Sequence, residues 1–321
     1  MHQIEGTSLY YHGKSRNFRL ADCAVSQSTQ ERARSAAVEL LSTDVELVEK
    51  SDYILSIVPP RDAIQIASRI GAALESAKRR QSTPLYFLDL NAISPLTAKK
   101  VIAELPSDRS LLRVIDGGIL GGPPKVTDNG DKAQSWYKPA VVVSGPDPLA
   151  SAPVNGENLA EVLNFKHIHS DLGPASGLKM CFAAMNKGFT AIAIQSFTTA
   201  KQLGVLPELQ GQLQAFNPIM GNIAERSLTI MPPKAYRWVE EMNQIAETME
   251  QFGGFTSALE NGEKASSGGD LFRSVSDTYR FIEKTELGKE KTEDRKLGKS
   301  AVEVASICAE SLDPAQRTTR S

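Results

Sequence analysis

Before Asp171 the chain alternates short β-rich runs with helical patterns, and after it no convincing strand appears. Phe18–Val25 reads as a strand and Thr29–Ala37 as a charged helix. Tyr53–Val58 is a buried strand ended by Pro59-Pro60, after which Asp62–Ala77 repeats apolar residues at helical spacing. Leu85–Leu90 is another strand, followed by Ser94-Pro95 and the helix Leu96–Leu105. Arg113–Asp116, Ala140–Ser144 and Phe165–His169 complete the strands. Strands alternating with helices of about ten to fifteen residues predict an α/β fold, with a mostly parallel sheet covered by helices on both faces. From Pro174 onward the patterns are helical only: Pro174–Leu203, Leu206–Phe216, Pro218–Leu228, Lys234–Phe252, Leu271–Thr285 and Ala301–Leu312. Two domains are therefore expected, 1–171 and 172–321, with the loop Asn261–Gly269 and the final Pro314–Ser321 mobile.

Composition removes several function classes. Lys plus Arg is 36 and Asp plus Glu is 38, a net charge of −2. That balance argues against nucleic-acid and anionic-membrane partners. Cys23, Cys181 and Cys308 are far apart and lack metal-ligand spacing, so they read as reduced thiols of an intracellular, cytoplasmic protein. Met180–Ala200 has the length of a membrane span, but Asn186, Lys187, Gln195 and three threonines interrupt it. A buried helix of a soluble protein is expected instead. His167 and His169 alternate on one strand and read as a surface pair, since no further ligand stands at useful spacing.

One lysine stands out in that apolar helix. The segment Leu172-Gly173-Pro174-Ala175-Ser176-Gly177-Leu178-Lys179 opens it, with Pro174 suited to a first helical position. Lys179 follows two glycines that would let a ligand approach the backbone. Desolvation brings a lysine toward the range in which it can trade protons. The bland alternative is a lysine that snorkels to solvent.

In an open parallel sheet, ligands bind beyond the carboxyl ends of the strands. Three segments there invite attention. Val58-Pro59-Pro60 forms a rigid shelf, and Asn91-Ala92-Ile93-Ser94-Pro95 offers an amide and a hydroxyl at a helix start. Asp116–Pro124 holds four glycines in six positions, which bares backbone N–H groups for a carboxylate or phosphate. Taken singly, each reads as well as a proline helix start, a cap or a turn.

Together, Ser51–Pro60, Asp89–Pro95, Asp116–Pro124, Gly173–Gly188 and Lys234–Trp238 resemble the β-hydroxyacid dehydrogenase superfamily. The closer resemblance is to 6-phosphogluconate-dehydrogenase-like proteins with a short, distinct helical C-terminal domain. The resemblance implies a Rossmann-like NAD(P)-binding domain over 1–171, a helical substrate and dimerisation domain over 172–321, and a homodimer built around the latter. It implies a small-molecule substrate and a nicotinamide cofactor, NADP slightly before NAD. Position by position, Val58, Pro59, Asn91, Ser94 and Gly173 would border the cofactor. Gly121 and Gly122 would bind substrate, and Lys179 would transfer the proton. Many relatives carry an asparagine where this chain has Ala183, so Asn186, a turn further on, is the candidate replacement. Leu120 stands where many carry a serine.

The N-terminus departs from the pattern. No G-x-G-x-x-G turn is present, and Gly6 and Gly13 are seven apart. The resemblance resumes near Asn17, and sixteen residues are too few for a strand, turn and helix, which need about 25. The sheet is thus expected to be N-terminally incomplete, its first strand and phosphate turn missing or replaced. Two functions follow: an NAD(P)-dependent oxidoreductase acting on CH–OH or C=N groups, or a non-catalytic relative that binds cofactor weakly.

Overall fold

The computed structural model describes residues 9–12, 17–21, 27–79, 83–127, 135–255, 268–292 and 295–312. Gly6, Gly13, Cys23, Val25, most of the expected Asn261–Gly269 loop and Pro314–Ser321 lie outside them. The chain divides into two compact units, Met1–Met180 and Cys181–Ser321. The division falls inside the helix Pro174–Gln202, beyond the change of sequence character at Asp171.

The first unit contains β1 (Leu9–His12), β2 (Asn17–Ala21), β3 (Glu39–Leu41), β4 (Tyr53–Ser56), β5 (Leu85–Asp89), β6 (Leu112–Leu120), β7 (Lys125–Thr127), β8 (Ser135–Tyr137), β9 (Ala140–Ser144) and β10 (Phe165–His169). Eight of them form one sheet in the order β10-β9-β6-β5-β4-β1-β2-β3, and β7 and β8 form a separate hairpin. The runs β4 and β5 are buried throughout because both faces of the sheet are covered. Their alternation divides the core. Ile54, Leu85 and Phe87 meet Ala63, Ala67 and Ile70 of the helix Ala63–Ser76, together with Ala98 and Val101 of the helix Pro95–Ala103. Tyr53, Leu55, Tyr86 and Leu88 turn the other way, toward Leu149, Leu159 and Leu163. Burial of each large apolar side chain contributes about 1.5–3 kcal/mol. The short elements Glu39–Leu41, Asp44–Lys50 and Gly156–Val162 and the β7–β8 hairpin carry too little periodicity to stand out in the sequence.

Of the two expectations for the first strand, missing or replaced, the sheet shows replacement. β1 lies between β2 and β4, the slot of a first parallel strand, but it runs antiparallel to both. Tyr10 pairs with Arg19 on one side and Ile54 on the other. The reason is chain length: only residues 13–16 separate β1 from β2. Antiparallel neighbours can be joined by a short turn, whereas parallel ones need a crossover of about a dozen residues or more. What the sheet lacks is therefore the crossover and not the strand.

In the second unit, Leu206–Phe216, Pro218–Ile230, Ala235–Gln251, Gly268–Lys284, Glu286–Lys289 and Ala301–Leu312 are helical, as is the remainder of Pro174–Gln202. Gly268 and Gly269, expected in a mobile loop, instead open a helix. Lys187 forms an ion pair with Glu241, both largely buried, and its ammonium lies 4.7 Å from the centre of the Trp238 ring. Trp238 in turn meets Tyr279 edge-on at 5.1 Å, and the Tyr279 hydroxyl donates to the Lys187 carbonyl. Three helices are tied by that cluster.

The expectation that Met180–Ala200 is buried on every face does not hold within this unit. Phe182 is 43%, Met185 78% and Ile192 61% exposed, a stripe at helical spacing. Among the described residues, no helix is long and apolar enough to cross a membrane.

Candidate functional site

The carboxyl edge of the sheet is organised by a row of buried polar residues. Each apolar strand run ends in one: Ser56 on β4, Asp89 on β5, Asp116 within β6 and Ser144 on β9. They stand in register, Ser56 beside Asp89, Asp89 beside Asp116 and Asp116 beside Ser144. Sequence reasoning gave Asp89 and Asp116 no role. The signal was there, in a single polar residue closing each hydrophobic run.

Asp116 caps the helix that carries Lys179. Its Oδ2 accepts from the Gly173 N–H, the Ser176 N–H and the Ser144 hydroxyl, at 3.0, 3.0 and 2.9 Å, and its Oδ1 accepts from the Ser176 hydroxyl. The Ser144 oxygen accepts the Ala175 N–H at 3.0 Å. The first amides of a helix have no internal partners and attract negative charge. Asp116 and Ser144 satisfy them from the sheet, so this helix start is already occupied by a carboxylate.

Beyond Asp116, β6 continues for four residues past the row, paired only with β9. Gly118 lies on this overhang under Lys179. A Cβ built on Gly118 would fall 2.6 Å from the lysine Cβ and 3.0 Å from its Cγ. The lysine stem therefore lies flat on the strand, and its Nζ donates to the Ile119 carbonyl at 2.9 Å. This is a defined seat and not a side chain free to wander into solvent.

Asn91 and Val58 meet next to the row. The Val58 N–H donates to Asn91 Oδ1 at 2.6 Å, while Asn91 Nδ2 donates to the Ser56 hydroxyl at 3.0 Å and to Asp89 Oδ1 at 2.6 Å. Asn91 thereby ties the start of the Val58-Pro59 shelf to the end of β5. Burial pushes the Asp89 carboxyl up to about 7, and the Asp116 charge adds to the rise against the bonds from Asn91. Its Oδ2 is buried with no hydrogen-bond partner among the described residues.

The remaining expected residues sort as follows. Ser94 is buried and caps the helix Pro95–Ala103, its hydroxyl accepting from the Thr97 N–H at 2.9 Å. Gly173 holds φ at +116°, and a Cβ there would lie 3.5 Å from Pro95, as would one on Gly177. The two glycines expected to admit a ligand thus face a proline. Gly121 and Gly122 are exposed at the turn after β6. Asn186 belongs to the second unit, where it is exposed and its amide donates to the Phe182 carbonyl; Ala183 is buried there. Tyr236, at the start of Ala235–Gln251, is 44% exposed. His167 Nε2 lies 2.8 Å from the Gly145 carbonyl, and His169 Nδ1 accepts from the Asp171 N–H. Among the described residues no cluster of three metal-ligating side chains exists.

Comparison with known proteins bears on the fold. Residues 200–282 match the family model described as "Domain of unknown function (DUF1932)". An uncharacterized 28.5 kDa protein from Methanothermus fervidus is 25% identical over 188 residues, which span 57% of this chain and 62% of that protein. A conserved hypothetical protein from Sinorhizobium meliloti 1021 superposes with a TM-score of 0.55 at 20% identity, covering 92% of this chain and 88% of its own. The 3-hydroxyisobutyrate dehydrogenase of Salmonella typhimurium gives 0.54 at 15% identity, over 89% and 90% of the two chains. That of Mycobacterium tuberculosis gives 0.53 at 14% identity, over 92% and 89%. These likenesses are of fold: a Rossmann-like sheet followed by a helical domain.

Proposed function

We propose that this chain is an NAD(P)-dependent oxidoreductase of the β-hydroxyacid dehydrogenase type, with Lys179 as the residue that gives or takes the proton. The observation that carries this reading is the seat of Lys179: pinned on Gly118, bonded to Ile119, and borne on a helix start that Asp116 caps. A bound nicotinamide supplies the hydride exchange at a carbon bearing a hydroxyl, carbonyl or imine. Lys179 Nζ moves the proton at the attached oxygen or nitrogen. Backbone N–H groups around Gly121 and Gly122 hold the acid end of the substrate, and fixing that end supplies near-attack geometry. Val58, Pro59, Asn91 and Ser94 border the cofactor in this reading, with Asn91 holding the Val58 amide in place. NADP is slightly favoured over NAD. A homodimer through the helical domain belongs to the same proposal, supported by the exposed stripe Phe182, Met185 and Ile192.

The N-terminal strand supports a second reading. Among the described residues no helix lies between β1 and β2, which pair antiparallel with only residues 13–16 between them. A pyrophosphate therefore lacks the helix N-terminus that a parallel first strand would lead to. On that ground the chain would be a non-catalytic relative with weak cofactor affinity.

Fluorescence titration with NADPH and NADH separates the two. Saturable binding, with turnover that Lys179→Ala lowers by about 10²- to 10⁴-fold while cofactor affinity persists, supports the enzyme. No binding at millimolar cofactor removes it.

A further inference from the structure

The turn after β6 has a second polar neighbour besides Lys179. Gly121 holds φ at +113°, and a Cβ there would lie 2.5 Å from the Tyr137 hydroxyl oxygen. The phenol therefore rests directly on the glycine backbone. Tyr137 comes from β8, where it pairs with Lys125 across the hairpin. The Lys125 ammonium lies 5.9 Å from the centre of its ring. Alternate residues of a two-stranded ribbon share a face. Tyr137 and Lys125 thus lie on one face, while Val126 and Trp136 occupy the other.

Two cation or donor heads converge on one short stretch of backbone. Lys179 reaches the Ile119 carbonyl from the helix, and the Tyr137 hydroxyl reaches Gly121 from the hairpin. Tyr137 is 39% exposed, and among the described residues nothing lies within 4 Å of the Cβ position of Gly122. Open space thus adjoins a hydroxyl, a nearby ammonium and a glycine turn. We propose that Tyr137 is a specificity-determining residue, whose hydroxyl donates to a substrate carboxylate seated against Gly121 and Gly122, with Lys125 adding positive charge. Through that hydroxyl, Tyr137 favours an acid over its neutral counterpart. The acid seat at Gly121 and Gly122 belongs to the oxidoreductase reading, on which this inference rests; Tyr137 and Lys125 are what it adds.

The test is calorimetric titration of the full chain with 3-hydroxypropionate and with its neutral amide, in the presence and absence of NADPH. The wild type should prefer the acid by tenfold or more. Tyr137→Phe keeps the ring and its packing, and should weaken the acid about 10- to 100-fold, as for a lost hydrogen bond to a charged group. The amide and NADPH affinities should not move, and turnover should show a raised KM with a smaller change in kcat. A Tyr137→Phe protein that binds the acid as the wild type does overturns the proposal. So does a wild type that binds no acid or does not tell it from the amide. Acid selectivity in a chain that binds no NADPH supports the subsite and refutes the oxidoreductase reading. Turnover with unchanged acid affinity in Tyr137→Phe does the reverse.

Discussion

Lys179 lies along the backbone of Gly118, with its Cβ 2.6 Å from where a Cβ on the glycine would stand. Contact at that distance is not available to any residue with a side chain, so the glycine defines the path of the lysine stem. Gly118→Ala should push the helix start or the lysine off β6 and break the Nζ bond to Ile119. We expect cofactor-dependent turnover to fall about 100-fold, the scale of a displacement near 1 Å, with cofactor affinity changed far less. Steady-state kinetics beside NADPH titration would check it; unchanged kcat would show that the seat is irrelevant.

Asp116 gathers the Gly173 and Ser176 amides and the Ser144 and Ser176 hydroxyls. Asp116→Asn removes the charge and turns an N–H₂ toward donors. The expected loss is about 2–4 kcal/mol, from hydrogen bonds to a charged group plus the helix-end interaction. Urea denaturation should register it, and hydrogen exchange should show the Gly173 and Ser176 amides losing protection first.

Asp89 gives the fold a pH dependence of predictable sign. Its folded carboxyl is raised to about 7, above its unfolded value, so the folded state holds the proton more tightly. Stability from this group is full below the unfolded pKa, falls as pH rises toward 7, and is level above that. A rise of this size corresponds to roughly 4 kcal/mol over the window. Asp89→Asn keeps an acceptor for Asn91 and cannot ionise. Its stability, followed by denaturant midpoint from pH 4 to pH 8, should decline less than that of the wild type; parallel curves would refute the assignment.

Lys187 and Glu241 are 13% and 8% exposed at their side chains. Removing one member of a buried pair strands the other charge, at a cost of about 3–5 kcal/mol. Lys187→Met alone should be destabilising to that degree, and Lys187→Met with Glu241→Leu should recover most of it. A double-mutant cycle by chemical denaturation measures the coupling.

The alternation of strand and helix up to Asp171, and the helices after it, were legible in local pattern. So were Pro174 at a helix start, Ser94 before Pro95 and the glycines after Asp116, because each follows from the chemistry of neighbouring residues. The sequence also showed no G-x-G-x-x-G turn. It did not show what stands in its place. Whether β1 runs with or against its neighbours is a property of sheet pairing, and only the fold places Tyr10 beside Arg19 and Ile54. The same holds for the site. Asp116 lies far along the chain from the helix it caps, and Gly118 from the lysine it supports. Sequence alone determined which residues were suited to chemistry; tertiary structure decided which of them touch, because strand register and close backbone approach are set by contacts that no local pattern records.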